Sequence, residues 1–306
     1  MFRAAVLILW STSLYAAQSA VDIETAANLY QEAAIREQVR ASLGAMPGHI
    51  RQLFSADPAA KLSAEQLNAV TAAAKRGFRI DVFEVPALSA LARNLDAGTV
   101  KKTEAFLASD LGRRMVAADV AESQLDEAKI DQIMNGEISV PVSHEREALF
   151  DKLEHASRST ESTVQIFISM GRSVAIGTAV GAGHDSSEVA ESARKSGDAS
   201  RDALERSMRE PLHRYMAYGY RDLSDSDLKH ILVFLDSSAG KRYISAYIAS
   251  LGAGFDAMGR RTGEQLGEAF RELAQAQLDV PAPASPSIAA PVPAPSSPRP
   301  EPVKPL

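Results

Sequence analysis

The sequence predicts an all-α protein of two similar helical units in tandem, each holding a helix–tight turn–helix corner. Three observations lead there. Ala is abundant, aromatics make up only 6% of the residues, and few segments alternate apolar with polar as half-buried strands do. Apolar residues recur instead at helical spacing between recognisable caps. Finally, the 21-residue stretch Leu95–Met115 recurs without gaps as Leu223–Tyr243.

At an offset of 128 the two copies share seven identities: Leu95/Leu223, Lys101/Lys229, Phe106/Phe234, Leu107/Leu235, Ser109/Ser237, Gly112/Gly240 and Arg114/Arg242. Ser224 and Asp227 have the spacing of a capping box. Leu228, Ile231, Leu232 and Leu235 then form one apolar stripe. In the first copy Asp96 is the cap. Ser109 and Ser237 end one helix and cap the next. A Gly costs roughly 1 kcal/mol inside a helix, so its recurrence just after the cap predicts a close backbone approach.

The remaining elements follow in order. Residues 1–20 have a basic Arg3, an apolar run from Ala4 to Tyr15 and small residues from Ala16 to Ala20, the pattern of a secretory signal peptide. A helix is expected from Asp22 to Leu43, with Pro47 opening a short one after it. Ser63 to Gln66 is a capping box before a helix that Gly77 closes. Arg79–Val85 is the one strand-like run, read as helix because it leads into a Leu88/Leu91/Leu95 stripe. A single helix is expected from the first corner to Asn135. Residues 137–142 form an extended linker between unit 1 (22–136) and unit 2 (143–278), and Ser143 caps the next helix.

Thr163–Gly183 is the most apolar element outside the leader. It reads either as a membrane-associating helix with a Gly177-xxx-Gly181 face or as a core helix whose glycines allow close packing. The core reading is favoured, because Arg172 in its middle would cost at least about 2.5 kcal/mol in lipid. Asp185 to Glu188 is a third capping box, opening a polar helix to Met208, and Pro211 opens the next. Gly252 and Gly254 mark a possible kink in the last helix. Ten of the 15 prolines fall between Pro281 and Pro305, so residues 279–306 should be a disordered Pro/Ala/Ser-rich tail, either a docking spacer or a solubilising end.

The Phe-x-x-Ser-x-x-Gly-basic core of both corners (Phe106, Ser109, Gly112, Arg113; Phe234, Ser237, Gly240, Lys241) resembles the C-terminal signature of exported bacterial proteins of the domain-of-unknown-function 2059 family. The usual Pro after the Ser is Asp110 in one copy and Ser238 in the other. The resemblance covers about 20 residues per copy and implies an all-helical, exported domain. It implies no activity.

The chemistry in the sequence is sparse. There is no Cys, which excludes disulfides, thiol nucleophiles and thiolate metal sites. The six His residues have no H-E-x-x-H spacing, and no nucleophile elbow or phosphate loop is present. No cofactor, metal or catalytic residue is therefore assigned. The net charge of −6 argues against a nucleic-acid partner. The basic pairs Arg113-Arg114 and Lys241-Arg242 recur at matching positions, as partner contacts or as intramolecular ion pairs, with the second favoured. The leading expectation is a non-enzymatic periplasmic or secreted protein that binds an envelope protein or polymer. The alternatives are a cell-wall hydrolase or lyase with an acid in the inter-unit cleft, and a lipid binder acting through residues 163–183.

Overall fold

A computed structural model describes residues 20–56 and 62–278, so all but one residue of the expected signal peptide, and the whole Pro-rich tail, lie outside the described residues. The described residues are all-α, with no strand among them. The first half holds α1 (Ile23–Glu32), α2 (Ile35–Ala56), α3 (Ala64–Gly77), α4 (Ile80–Asn94), α5 (Ala97–Leu107), α6 (Asp110–Ser123) and α7 (Glu127–Met134). The second holds α8 (His144–Ser157), α9 (Ser159–Gly181), α10 (Ser187–Gly219), α11 (Asp225–Asp236) and α12 (Ser238–Leu278).

Caps written in the sequence set most of the boundaries. Ser63 and Gln66 form a full capping box at α3, as Ser224 and Asp227 do at α11. Asp96, Ser109 and Ser143 accept hydrogen bonds at the starts of α5, α6 and α8. Arg79–Val85 is helical, and Pro86 lies inside α4.

Four expected boundaries differ. The first helix breaks at Ala34, in the left-handed region at φ 50°, and α2 then runs through Pro47. The helix after the first corner breaks before Asp126, whose side chain caps α7 through the Lys129 N–H. Helix α10 continues through Pro211, and Ser186 makes no side-chain cap at its start. Helix α12 stays continuous over 41 residues through Gly252 and Gly254. At Gly254 tertiary packing accompanies the continuity, since a Cβ there would overlap the Phe83 ring.

Helix α12 is the spine. It packs against α9 along most of its second half and against α3, α4, α5 and α11 elsewhere. Helices α9 and α12 run parallel with their backbones touching. Ser173 hydroxyl bonds the Asp256 carboxyl, a Cβ at Gly177 would overlap the Arg260 carbonyl, and one at Gly267 would overlap the Thr178 carbonyl. Only glycines at Gly177, Gly181, Gly263 and Gly267 allow that approach. The opposite side of α12 takes α3 and α4: Gly77 lies against Thr262, and the buried Ser250 hydroxyl donates to Ala87 O at 2.9 Å. One apolar cluster therefore joins residues from both halves, with Leu29, Phe83, Leu91, Phe150, Ile231 and Met258 among its members.

The two corners are alike and meet face to face. A Cβ at Gly112 would overlap the Phe106 carbonyl oxygen, and one at Gly240 the Phe234 carbonyl oxygen. Ser109 and Ser237 hydroxyls each accept from the N–H of the Gly three residues on, at 3.0 Å. Leu95 and Leu223 are buried ahead of each corner. The equivalent rings Phe106 and Phe234 stack on each other, 4.0 Å between centroids and 2° from parallel. Equivalent residues touching each other is the mark of a local two-fold contact. The likeness stops at the corners: α12 has 41 residues where α6, its counterpart, has 14.

Candidate functional site

The basic residues of the corners are engaged within the chain. Arg114 grips Asp227 with two hydrogen bonds of 2.9 and 2.6 Å, and Arg242 bonds Asp96 at 2.8 Å. Each arginine thus crosses to the N-terminus of the first helix of the other corner, where a carboxylate also favours the helix dipole. The acid is the N-cap in one copy (Asp96) and the third helical residue in the other (Asp227). The Arg114 guanidinium, with the Ser224 N–H, holds Asp227 well below the usual carboxylate range. The Thr99 N–H does most of the same for Asp96. Arg113 stays in its own corner on Asp110 and the Ala108 carbonyl, and Lys241 lies 3.6 Å from Asp236. Of the repeated basic pairs, Arg114 and Arg242 tie the corners together, while Arg113 and Lys241 bond within their own.

Beneath the corner pair lies a cavity of about 460 Å³ that opens to the surface. A smaller chamber of about 170 Å³ continues inward to the Phe234 side of the corner stack. The two share Gln38, Asp119, Ser157, Met216, Tyr220 and Tyr247. The walls come from α2, α6, the end of α10, the α8–α9 junction and α12. The cavity therefore forms only when both halves of the chain are in place.

Helix α6 contributes the chemistry. Asp119 and Glu122, three residues apart, both line the cavity. Tyr220, the cap residue of α10, donates its hydroxyl to Asp119 Oδ1 at 2.9 Å. Tyr215 donates to the Glu122 backbone carbonyl at 3.1 Å, tying α10 to the end of α6. The Glu122 carboxyl accepts no hydrogen bond from the described residues and sits against Gly219, where any side chain would displace it. Tyr243 and Tyr247 of α12, with centroids 6.2 Å apart, complete an aromatic side. Leu251 and Phe255 extend it.

Burial governs the electrostatics. It pushes the Asp119 carboxyl up to about 7, against the opposing effect of the Tyr220 hydroxyl. It pushes Glu122 up to about 8, helped by the Asp119 charge and opposed by Arg221. Glu122 also borders a separate groove of about 410 Å³ that holds Arg114, Lys129 and Arg221. Burial also raises the Tyr215, Tyr220, Tyr243 and Tyr247 hydroxyls, so all four stay neutral in the physiological range. The arrangement can exchange protons near neutral pH, accept hydrogen bonds and hold an apolar body.

A larger groove of about 580 Å³ lies beyond the α8–α9 turn, lined by both signs of charge, including Glu154, Arg158, Glu161, Arg201 and Lys241. Several of these already pair with each other or with neighbours: Arg158 with Glu161, Arg201 with Gln165. No group of His, Cys, Asp and Glu among the described residues could hold a metal ion.

The sequence reading did not single out Asp119 or Glu122. The available signal was an acid in the register of a buried stripe: Met115, Val116 and Asp119 share a face of α6, and Val116 packs on the core. Tyr215 and Tyr247 both line the cavity. No family model, curated protein or solved structure matches the chain.

Proposed function

We propose that the chain is an exported, non-enzymatic binding protein of the cell envelope, and that it takes its ligand into the cavity beneath the corner pair. The observation that carries this is the Glu122 carboxyl, without a hydrogen-bond partner among the described residues, bordering a cavity whose walls combine Tyr, Met, Leu and Phe with Asp119 and with Gln, Ser, Thr and Val side chains. A concave, largely apolar pocket with a few convergent polar groups is the usual form of a small-molecule site. Export rests on the leader pattern of residues 1–20, and kinship with the domain-of-unknown-function 2059 family on the corner residues alone.

A cell-wall hydrolase or lyase is the second reading, favoured by two acids that titrate near neutrality. Glycosidic chemistry places its carboxyls on opposite sides of the scissile bond, about 5 to 10 Å apart. Asp119 and Glu122 project from one helix instead, and so line one wall. Binding is the reading they support better. The lipid-surface reading draws on α9, which is long and apolar enough to cross a membrane, with Phe167 49% and Val180 51% exposed. Its glycine face, however, is packed on α12.

The test is native mass spectrometry of the chain recovered from the periplasmic or secreted fraction of an expressing bacterium. A small ligand should co-purify, leave on denaturation, and be absent from Met216→Trp, which fills the cavity. A ligand-free protein that also binds nothing from envelope extract would overturn the reading. Recovery only from the cytoplasm, with residues 1–20 still attached, would overturn export.

A further inference from the structure

Building on the cavity as the binding site, we infer that its ligand is an organic cation, an amine carried on an apolar body, whose ammonium group docks on the Glu122 carboxyl. The charge census of the walls points there. The two chambers are lined by two carboxyls and by no Lys, Arg or His, while Arg114, Lys129 and Arg221 line a separate groove that Glu122 and Gly219 also border. The nearest opposing cation is Arg221, which stacks on the Tyr218 ring 4.2 Å away and bonds the Tyr218 carbonyl, outside both chambers. Once the two acids ionise, an anionic ligand such as a fatty acid or a phosphate ester would meet only like charge on the chamber walls, and burial makes that repulsion costly. A neutral apolar ligand would leave Glu122 without a partner.

The remaining walls suit the rest of such a molecule. Tyr215, Tyr220 and Tyr247 present ring surface beside the acids, and rings attract a cation over their faces. Leu212, Met216, Leu251 and Phe255 offer an apolar surface for an alkyl or aryl body. Met adapts to irregular shapes. Asp119 is already engaged by the Tyr220 hydroxyl, so Glu122 is the free anchor and Asp119 supplies the second negative charge.

Docking an ammonium group requires Glu122 to be ionised, so binding expels a proton from it. The groups that set this balance are Asp119 on the same helix, the neutral hydroxyls of Tyr215, Tyr220 and Tyr247 across the cavity, and Arg221 behind it. Burial and Asp119 hold the proton on the free protein. Affinity for an amine should therefore rise between pH 6 and pH 8, and protons should be released on binding.

Three probes of equal chain length, octylammonium, octanol and octanoate, separate the possibilities by calorimetric titration of the full chain. Octylammonium is expected to bind at least about tenfold tighter than octanoate at pH 8. Proton release should show as a dependence of the heat on buffer ionisation enthalpy. Glu122→Gln should narrow the preference to about threefold or less. Asp119→Asn, which keeps an acceptor for Tyr220, should narrow it in part, and serves if Glu122→Gln does not fold. Octanoate binding as well as octylammonium would overturn the cation inference and leave the cavity as a site. An octylammonium preference that survives both substitutions would overturn it as well. Failure of all three probes to bind a folded protein would overturn the cavity reading itself.

Discussion

Asp119→Asn should stabilise the protein at pH 8 and do little at pH 5. Moving a carboxyl from the ordinary 3.8 to about 7 corresponds to roughly 4 kcal/mol of penalty on its ionised form. Water entering through the cavity screens part of this, so about 2 kcal/mol is the working expectation. The sign follows from proton counting. Between pH 4 and pH 7 the folded state binds the Asp119 proton more tightly than the unfolded chain does, so stability falls as pH rises through that window. Asparagine has no proton to lose and can still accept from the Tyr220 hydroxyl, which keeps the 2.9 Å contact available. Urea denaturation of wild type and variant at pH 5, 6.5 and 8 measures the difference, and subtraction cancels the histidines and other titrating groups common to both. A variant advantage that grows with pH agrees with the burial argument. An advantage that is absent, or that shrinks from pH 5 to pH 8, would refute it.

Other expectations follow from the packing. Gly240→Ala should destabilise by about 3 kcal/mol, because its methyl overlaps backbone and nothing flexible can yield. Gly48→Ala, with open space around its Cβ, should be neutral or slightly stabilising when both variants are compared with wild type by thermal melting. Gly263→Leu should separate α9 from α12 and lower the cooperativity of unfolding, since its side chain would enter the Val174 carbonyl and Gly177 backbone. Arg114→Ala should lower stability slightly at neutral pH. That loss should fade as pH falls below 3.8, because Asp227 is held low by Arg114 and its contribution exists only while it is ionised.

The helical class and the corners were legible because their signals are local. Ser109, Ser237, Gly112 and Gly240 act on atoms within six residues of themselves, so spacing alone identifies them. The breaks at Ala34 and before Asp126, and the continuity of α10 and α12, depend on distant packing. Pro211 gives up one helical hydrogen bond, yet helix continues on both sides of it. The cavity was the least legible feature. Its acids, tyrosines and α2 wall come from positions as far apart as Gln38 and Phe255, and no sequence window contains them together. Asp119 and Glu122 look like ordinary surface acids until Tyr215 and Tyr220 close over them.

The position of the spine has a kinetic consequence. Helices α3, α4 and α9 are synthesised first but have their covering surface on α12, 189 residues later in the chain for the Arg76–Gln265 hydrogen bond. Contacts of such sequence separation form late, after a large loss of chain entropy. Until α12 emerges, the glycine faces and the Phe83 pocket have no partner, and the nascent chain stays open and prone to association. Synthesis order thus acts as a timer. A chain that closes on α12 stays open for most of its synthesis, and it needs protection from its neighbours for just as long.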